Sequence, residues 1–356
     1  MIKNRIVLMA GGTGGHVFPA LAVAEALRDC GIAVCWLGTH AGLEARVVPA
    51  AGIDIEYIRI HGIRGKGGLS LLMAPFKIIL AIWQSVRVLR ALRPVAVVGF
   101  GGFVSGPGGV AAWLLRIPLF IHEQNAIAGL TNGWLARLAS QVMEAFPGTF
   151  PSRYRAVHTG NPLRGNIMAL DRPLSKAIGE PLRVLVVGGS LGAKVLNEVV
   201  PVALRQVPGA IEVWHQTGAA HIEAMQQAYD LAQFKVEVVA FIEDMAAAYQ
   251  RADVVICRAG AITVSELAQA GVASILIPYP HAVDDHQTAN ARFLSDKGGA
   301  ILLPQTELTV EKLVTLMTEW CNNPAGLEAM SEAARRCATP LALQKVMDVI
   351  TVNGQA

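Results

Sequence analysis

The chain has 356 residues, more than one hydrophobic core serves, so two domains of ordinary size are expected. Hydrophobic residues make up 53% and charged residues 16%, a balance that excludes a disordered chain and speaks against nucleic acid as a partner. The net charge is +3, yet residues through Pro162 carry 15 basic against 7 acidic side chains (+8) and the remainder carry 15 against 20 (−5), so the halves face different partners.

Five scattered cysteines, Cys30, Cys35, Cys257, Cys321 and Cys337, contain no C-x-x-C pair, which fits a reducing compartment without structural zinc. The apolar run 6–10 is too short for a signal-peptide core. The charge-free stretch 95–115 is interrupted by six glycines and Pro107, which argues for strand, loop and helix in place of a membrane span. A cytoplasmic chain is expected.

In chain order, β-branched runs at 5–9, 33–37, 53–60, 95–99, 118–122, 183–187, 211–215, 236–240, 254–257 and 274–277 alternate with helical periods. That alternation predicts an α/β protein with two doubly wound, Rossmann-like parallel sheets facing across a cleft. The turn cluster Thr159-Gly160-Asn161-Pro162 stands where the charge balance changes sign, dividing the chain into 1–162 and 163–340. A last helical pattern, 341–353, is expected to pack back on the first domain.

The first strand runs into Gly11-Gly12-Thr13-Gly14-Gly15, whose place before a helix suits a pyrophosphate, though tight strand-to-helix packing also uses such glycines. It is not the dinucleotide fingerprint: Val17 stands where G-x-G-x-x-G needs glycine, and no acid for a ribose closes the second strand at Gly38-Thr39. A nucleotide-dependent oxidoreductase is therefore disfavoured. Two further loops, 99–107 and 188–192, occupy the same strand-to-helix position, so two phosphate-bearing substrates are implied. His16 would sit at a helix start, where the dipole keeps an imidazole neutral for general-base work; a polar cap is the alternative. Glu123, after His122 at a strand end, is the rival base or a loop anchor.

The run 257–266 again leads from strand to helix, with Thr263 and Ser265 at the start and Glu266 one turn in, placed to accept ribose hydroxyls or merely to favour the dipole. Asp284-Asp285-His286-Gln287 suits a sugar, and also a metal. Between Glu56 and Glu123 there are eight Lys or Arg and no acid, and 71–83 is apolar around its whole circumference. Such a helix is either buried on both sides or lies in a membrane interface through Leu72, Phe76, Ile79 and Trp83, with Lys77, Arg87 and Arg90 at anionic head groups.

The motifs 10–19, 101–109, 122–125, 160–164, 188–192 and 258–266, in this order over nearly the whole chain, closely resemble the MurG family of bacterial N-acetylglucosaminyltransferases. The resemblance implies a GT-B fold and inverting transfer of N-acetylglucosamine from UDP-N-acetylglucosamine to the muramyl 4-hydroxyl of lipid I, giving lipid II. Another UDP-sugar enzyme of the same fold is the alternative. Carried over by motif, Thr13, Gly14, Gly15, Asn125, Arg164, Ser190, Ile242, Ala261, Ile262, Thr263, Val264, Ser265, Glu266 and Gln287 would contact the sugar nucleotide, with His286 the alternative to Gln287. His16 would be the base, with Glu123 in reserve. The family often has tyrosine where this chain has Phe103, so no hydroxyl role is carried over there. No cofactor and no metal ligand are implied. Peripheral attachment to the cytoplasmic face of the inner membrane and contact with cell-wall synthesis proteins are.

Overall fold

A computed structural model describes residues 4–60, 73–171, 179–189 and 191–354. Of the site residues expected above, Leu72 and Ser190 lie outside them. The chain divides into two compact units, Met1–Arg164 with Leu341–Ala356, and Gly165–Pro340.

Among the described residues the first unit holds a seven-stranded parallel sheet: β1 (Arg5–Ala10), β2 (Ala33–Gly38), β3 (Asp54–Tyr57), β4 (Ala96–Gly101), β5 (Leu119–Glu123), β6 (Gln141–Glu144) and β7 (Val157–His158). Its order is β3-β2-β1-β4-β5-β6-β7. The second unit holds β8 (Leu182–Val187), β9 (Ile211–Gln216), β10 (Lys235–Val239), β11 (Val254–Cys257), β12 (Ala273–Leu276) and β13 (Ile301–Leu302), ordered β10-β9-β8-β11-β12-β13. In each sheet the chain reverses its direction of travel between two central strands, the place where open parallel sheets bind ligands. Register brings the glycine loops together there: Ala10 of β1 lies opposite Gly101 of β4, and Val187 of β8 opposite Cys257 of β11.

Central strands are buried on both faces, which is why they read as unbroken apolar runs. Ile6, Leu8 and Ala10 pack toward the helix Gly14–Asp29, while Val7 and Met9 belong to the core on the opposite face. Val346, Met347 and Ile350 of the last helix, Ala342–Gly354, join the first of these cores. All ten strands expected from sequence are present; β6, β7 and β13 were not expected. Two residues are too few to show alternation, and β6 has only Val142 and Met143 between polar ends.

Candidate active site

In the first unit, β1 passes through Gly11-Gly12-Thr13 into the helix Gly14–Asp29. Thr13 caps it in extended conformation without a side-chain hydrogen bond. The His16 and Val17 amides bond the Thr13 carbonyl, so the amides of Gly14 and Gly15 are the pair that this turn leaves without an intrahelical acceptor. The second loop packs directly on the first. A Cβ on Gly102, whose φ is +81°, would lie 2.2 Å from the Gly11 carbonyl oxygen, and one on Gly101 would lie 3.0 Å from the His16 ring. Ser105 ties the loops together, accepting from the Gly101 amide (3.1 Å) and facing the Met9 carbonyl (3.0 Å).

An acid does stand beyond β2, where none was expected. Glu44 is fully buried; its Oε2 accepts from the Gly12 amide (3.0 Å) and its Oε1 from the Thr39 amide and hydroxyl (3.1 and 2.7 Å). It braces the glycine loop and is thereby unavailable to a ribose. Its sequence signal was an acid five residues past the strand-closing Thr39, close enough to fold back.

His16 is half-buried, and its Nδ1 lies 2.7 Å from Gln124 Oε1. Gln124 Nε2 lies 3.0 Å from Nδ1 of His122 and 2.9 Å from the His122 carbonyl; His122 Nε2 meets the Gly160 carbonyl at 3.0 Å. Complete burial pushes the His122 imidazole down to about 4, so it is neutral at working pH.

The expectation of Glu123 as reserve base meets a different geometry. This carboxylate is buried, and each oxygen accepts two hydrogen bonds: Oε1 from the Asn125 amide and Nδ2 (3.0 Å each), Oε2 from the Gly129 amide (3.1 Å) and Asn132 Nδ2 (3.0 Å). Four donors on a buried carboxylate make it the anchor of the loop after β5, with no lone pair directed to an incoming hydroxyl. Arg164, at the end of this unit, stacks over Phe18 at 5.7 Å.

In the second unit a cavity of about 720 Å³ opens where β8 and β11 end. Gly188, Gly189 and Gly192 form one wall, Arg258, Gly260 and Thr263 another, and Tyr279, His281 and Gln287 close it. Gly192 (φ +78°) carries no Cβ because one would lie 2.0 Å from the Thr217 carbonyl oxygen. The helix Ala261–Ala270 begins at Gly260 with no side-chain cap, while the Val264 amide already bonds the Gly260 carbonyl. The amides of Ala261, Ile262 and Thr263 are thus the donors of an uncapped helix start.

Arg258 donates to the Ile277 and Pro278 carbonyls (3.2 Å each) and to Gln305 Oε1 (2.8 Å); burial lowers its pKa from the ordinary value. Asn290, fully buried, donates to the Ala259 carbonyl at 3.2 Å. Cys257 has its thiol pushed up to about 12, chiefly by burial and secondarily by Glu266, so it is no nucleophile. Gln287 Oε1 accepts from the Tyr279 amide (2.9 Å). Glu266 is 6% exposed, with Tyr249 hydroxyl donating to Oε2 at 3.0 Å. Ile242 and Val264 are both buried, and the Val264 amide is held by the Gly260 carbonyl. Among the described residues no group of three or more His, Cys, Asp or Glu is arranged to hold a metal ion, 284–286 included.

Outside these sites the helix Ala74–Leu92 buries only Ala74, Ala81, Ser85 and Leu89, all on one side. Phe76, Ile79 and Trp83 are 70, 65 and 53% exposed, Lys77, Arg87 and Arg90 are exposed among them, and Arg87 lies over the Trp83 ring at 4.9 Å. No helix among the described residues is long and apolar enough to cross a membrane.

The family model for the glycosyltransferase family 28 N-terminal domain matches residues 6–144, and that for the family 28 C-terminal domain matches 183–349. The chain is 51% identical over 350 residues, 97% of this chain and 96% of the other, to the UDP-N-acetylglucosamine--N-acetylmuramyl-(pentapeptide) pyrophosphoryl-undecaprenol N-acetylglucosamine transferase of Marinobacter nauticus. It is 54% identical to the protein so named in Aeromonas hydrophila, covering 98% of this chain and 96% of that one. The crystal structure of Acinetobacter baumannii MurG is similar at TM-score 0.87 and 46% identity, over 98% of this chain and 99% of that one. The glycosyltransferase of kitacinnamycin (TM-score 0.73, 17% identity, 98% of each chain) shares the fold.

Proposed function

The chain belongs to glycosyltransferase family 28, and from that premise we propose that it transfers N-acetylglucosamine from UDP-N-acetylglucosamine to lipid I, giving lipid II. It is a GT-B hexosyltransferase of peptidoglycan synthesis. The observation that carries the mechanism is the uncapped start of the helix Ala261–Ala270 on the cavity of the second unit.

A diphosphate at that helix start receives the amides of Ala261 to Thr263 and the positive end of the dipole, worth ~0.3–2 kcal/mol to the charge that grows on departing UDP. Glu266 takes the ribose hydroxyls, backbone groups at Ile242 the base, and Gln287 the sugar. In the first unit the muramyl 4-hydroxyl loses its proton to Nε2 of His16 as its oxygen attacks the anomeric carbon and the bond from that carbon to the UDP oxygen breaks. One displacement inverts the centre and leaves a β1→4 bond. Thr13, Gly14, Gly15, Asn125 and Arg164 complete the substrate contacts. Transfer of sugar-labelled UDP-N-acetylglucosamine to extracted lipid I tests the reading: labelled lipid II is expected, and release of free sugar without transfer would overturn it.

The enzyme works peripherally on the cytoplasmic face of the inner membrane, where its polyprenyl acceptor resides. Support comes from the exposed Phe76, Ile79 and Trp83 beside Lys77, Arg87 and Arg90. Each basic residue adds roughly 1 kcal/mol near an anionic surface, and salt removes that share but not the apolar one. A folded Phe76→Ser, Trp83→Ser, Arg87→Glu variant is expected to lose co-sedimentation with cardiolipin-containing liposomes. Undiminished binding would return the helix to a purely structural role.

A further inference from the structure

We infer that Gln124 is a positioning residue that holds His16 in a single tautomer, Nδ1–H with the lone pair on Nε2, through a hydrogen-bond relay anchored on backbone carbonyls. The inference deepens the reading of His16 as the base and rests on it.

The relay runs from Gly160 to His122, to Gln124, to His16, at 3.0, 3.0 and 2.7 Å. Its direction follows from the anchors, because a carbonyl only accepts. The Gly160 carbonyl faces His122 Nε2, so that nitrogen carries the hydrogen and His122 Nδ1 bears the lone pair. The His122 carbonyl faces Gln124 Nε2, so the amide nitrogen points inward, and its two hydrogens go to that carbonyl and to His122 Nδ1. The amide oxygen is then what remains toward His16, and it requires a hydrogen on Nδ1. Every hydrogen in the relay has one place.

Burial protects this order. His122 and Gln124 are removed from solvent, and His122 stays neutral, since a proton on its Nδ1 would oppose the Gln124 amide hydrogen. The neighbouring Glu123 carboxylate is committed to donors at 125, 129 and 132 and does not enter the relay. In free imidazole the tautomers exchange, so a base presented without such a partner spends part of its time with a hydrogen on the nitrogen that must accept one. Partners that orient metal-bound histidines typically alter affinity or activity by ~10–100-fold, and the same scale is expected for a partner that orients a base.

The test uses the full chain with ¹⁵N-labelled histidine, the His16 signals assigned by their loss in His16→Asn. Nitrogen shifts of the wild type are expected to show a protonated Nδ1 and a lone pair on Nε2. In Gln124→Leu the pattern should change to a tautomer mixture, with kcat on lipid I down ~10–100-fold and KM for UDP-N-acetylglucosamine within about twofold. His122→Phe should cost less, because the residue-122 carbonyl still orients the amide. A wild-type His16 with its hydrogen on Nε2 would overturn the inference without any variant. So would Gln124→Leu retaining the wild-type tautomer, whatever its activity. If Gln124→Leu fails to fold by its melting curve, Gln124→Met and the wild-type spectrum decide in the same way. Normal turnover by His16→Asn would overturn the base assignment, while the spectra still test the tautomer.

Discussion

In the first unit the loops at the sheet ends are held by buried acids: Glu44 accepts from the Gly12 amide, and Glu123 from the amides of Asn125 and Gly129. In the second they are held by donors. Arg258 grips the Ile277 and Pro278 carbonyls, Asn290 the Ala259 carbonyl, and Gln216 the Gly189 carbonyl at 2.9 Å. An acid brace consumes backbone N–H groups that an anion could use. A brace on carbonyls leaves those groups available, so the same strand-to-helix geometry keeps more backbone donors open in the second unit than in the first.

The largest effect that sharpens this contrast is expected from His16→Ala, which should lower kcat ~10²–10⁴-fold while UDP affinity by calorimetry stays near normal. Equal losses of turnover and UDP affinity would break it. The glycines come next. Gly192→Ala forces a Cβ to 2.0 Å from the Thr217 carbonyl oxygen and should cost on the order of 3 kcal/mol in chemical denaturation, with UDP binding weakened at least about tenfold. Gly12→Ala, at φ +93° with open space around it, should cost only ~1–2 kcal/mol and leave UDP affinity within about twofold.

Each unit also buries a neutral histidine. His122 and His215, the latter between Tyr229 hydroxyl (3.0 Å) and Asn197 Oδ1 (3.1 Å), are both pushed down to about 4 by burial. Their folded-state values lie below the unfolded value of ~6.5, so the unfolded chain binds protons more readily. Their contribution is complete above pH ~6.5 and is lost as pH falls toward 4, on the order of 3 kcal/mol for each histidine. Urea midpoints measured from pH 7.5 to 4 should fall through that window in wild type and less steeply in a folded His215→Gln variant. A flat profile would contradict the burial argument. In the second unit, Glu266→Ala is expected to raise KM for the donor by ~10–100-fold with kcat little changed, as loss of a contact made equally in ground and transition states requires. Tyr249→Phe, which removes only the hydroxyl bonded to Oε2, separates that contact from repacking.

Much of this organisation was legible in the residues alone. Short β-branched runs alternating with helical periods pointed to ten strands, and the glycines that follow three of them to three phosphate-suited loops. The charge balance changes sign near Pro162, and the first compact unit runs to Arg164 before resuming at Leu341. The edge strands β7 and β13 were not legible, because two residues carry no periodicity and owe their pairing wholly to neighbours.

The roles of the polar residues divide the same way. Sequence by itself determined that His16, His122, Glu123 and Gln124 would stand at two strand ends, because local pattern decides where a strand stops. Only the tertiary structure decided which partners each of them meets. Glu123 becomes an anchor because the chain returns at 125, 129 and 132 to saturate it, Glu44 turns inward because Gly12 offers an amide 32 positions away, and Gln124 gains its direction from carbonyls at 122 and 160. A hydrogen bond's donor and acceptor are brought together by the path of the whole chain, and no spacing within one motif encodes the partner that arrives from elsewhere.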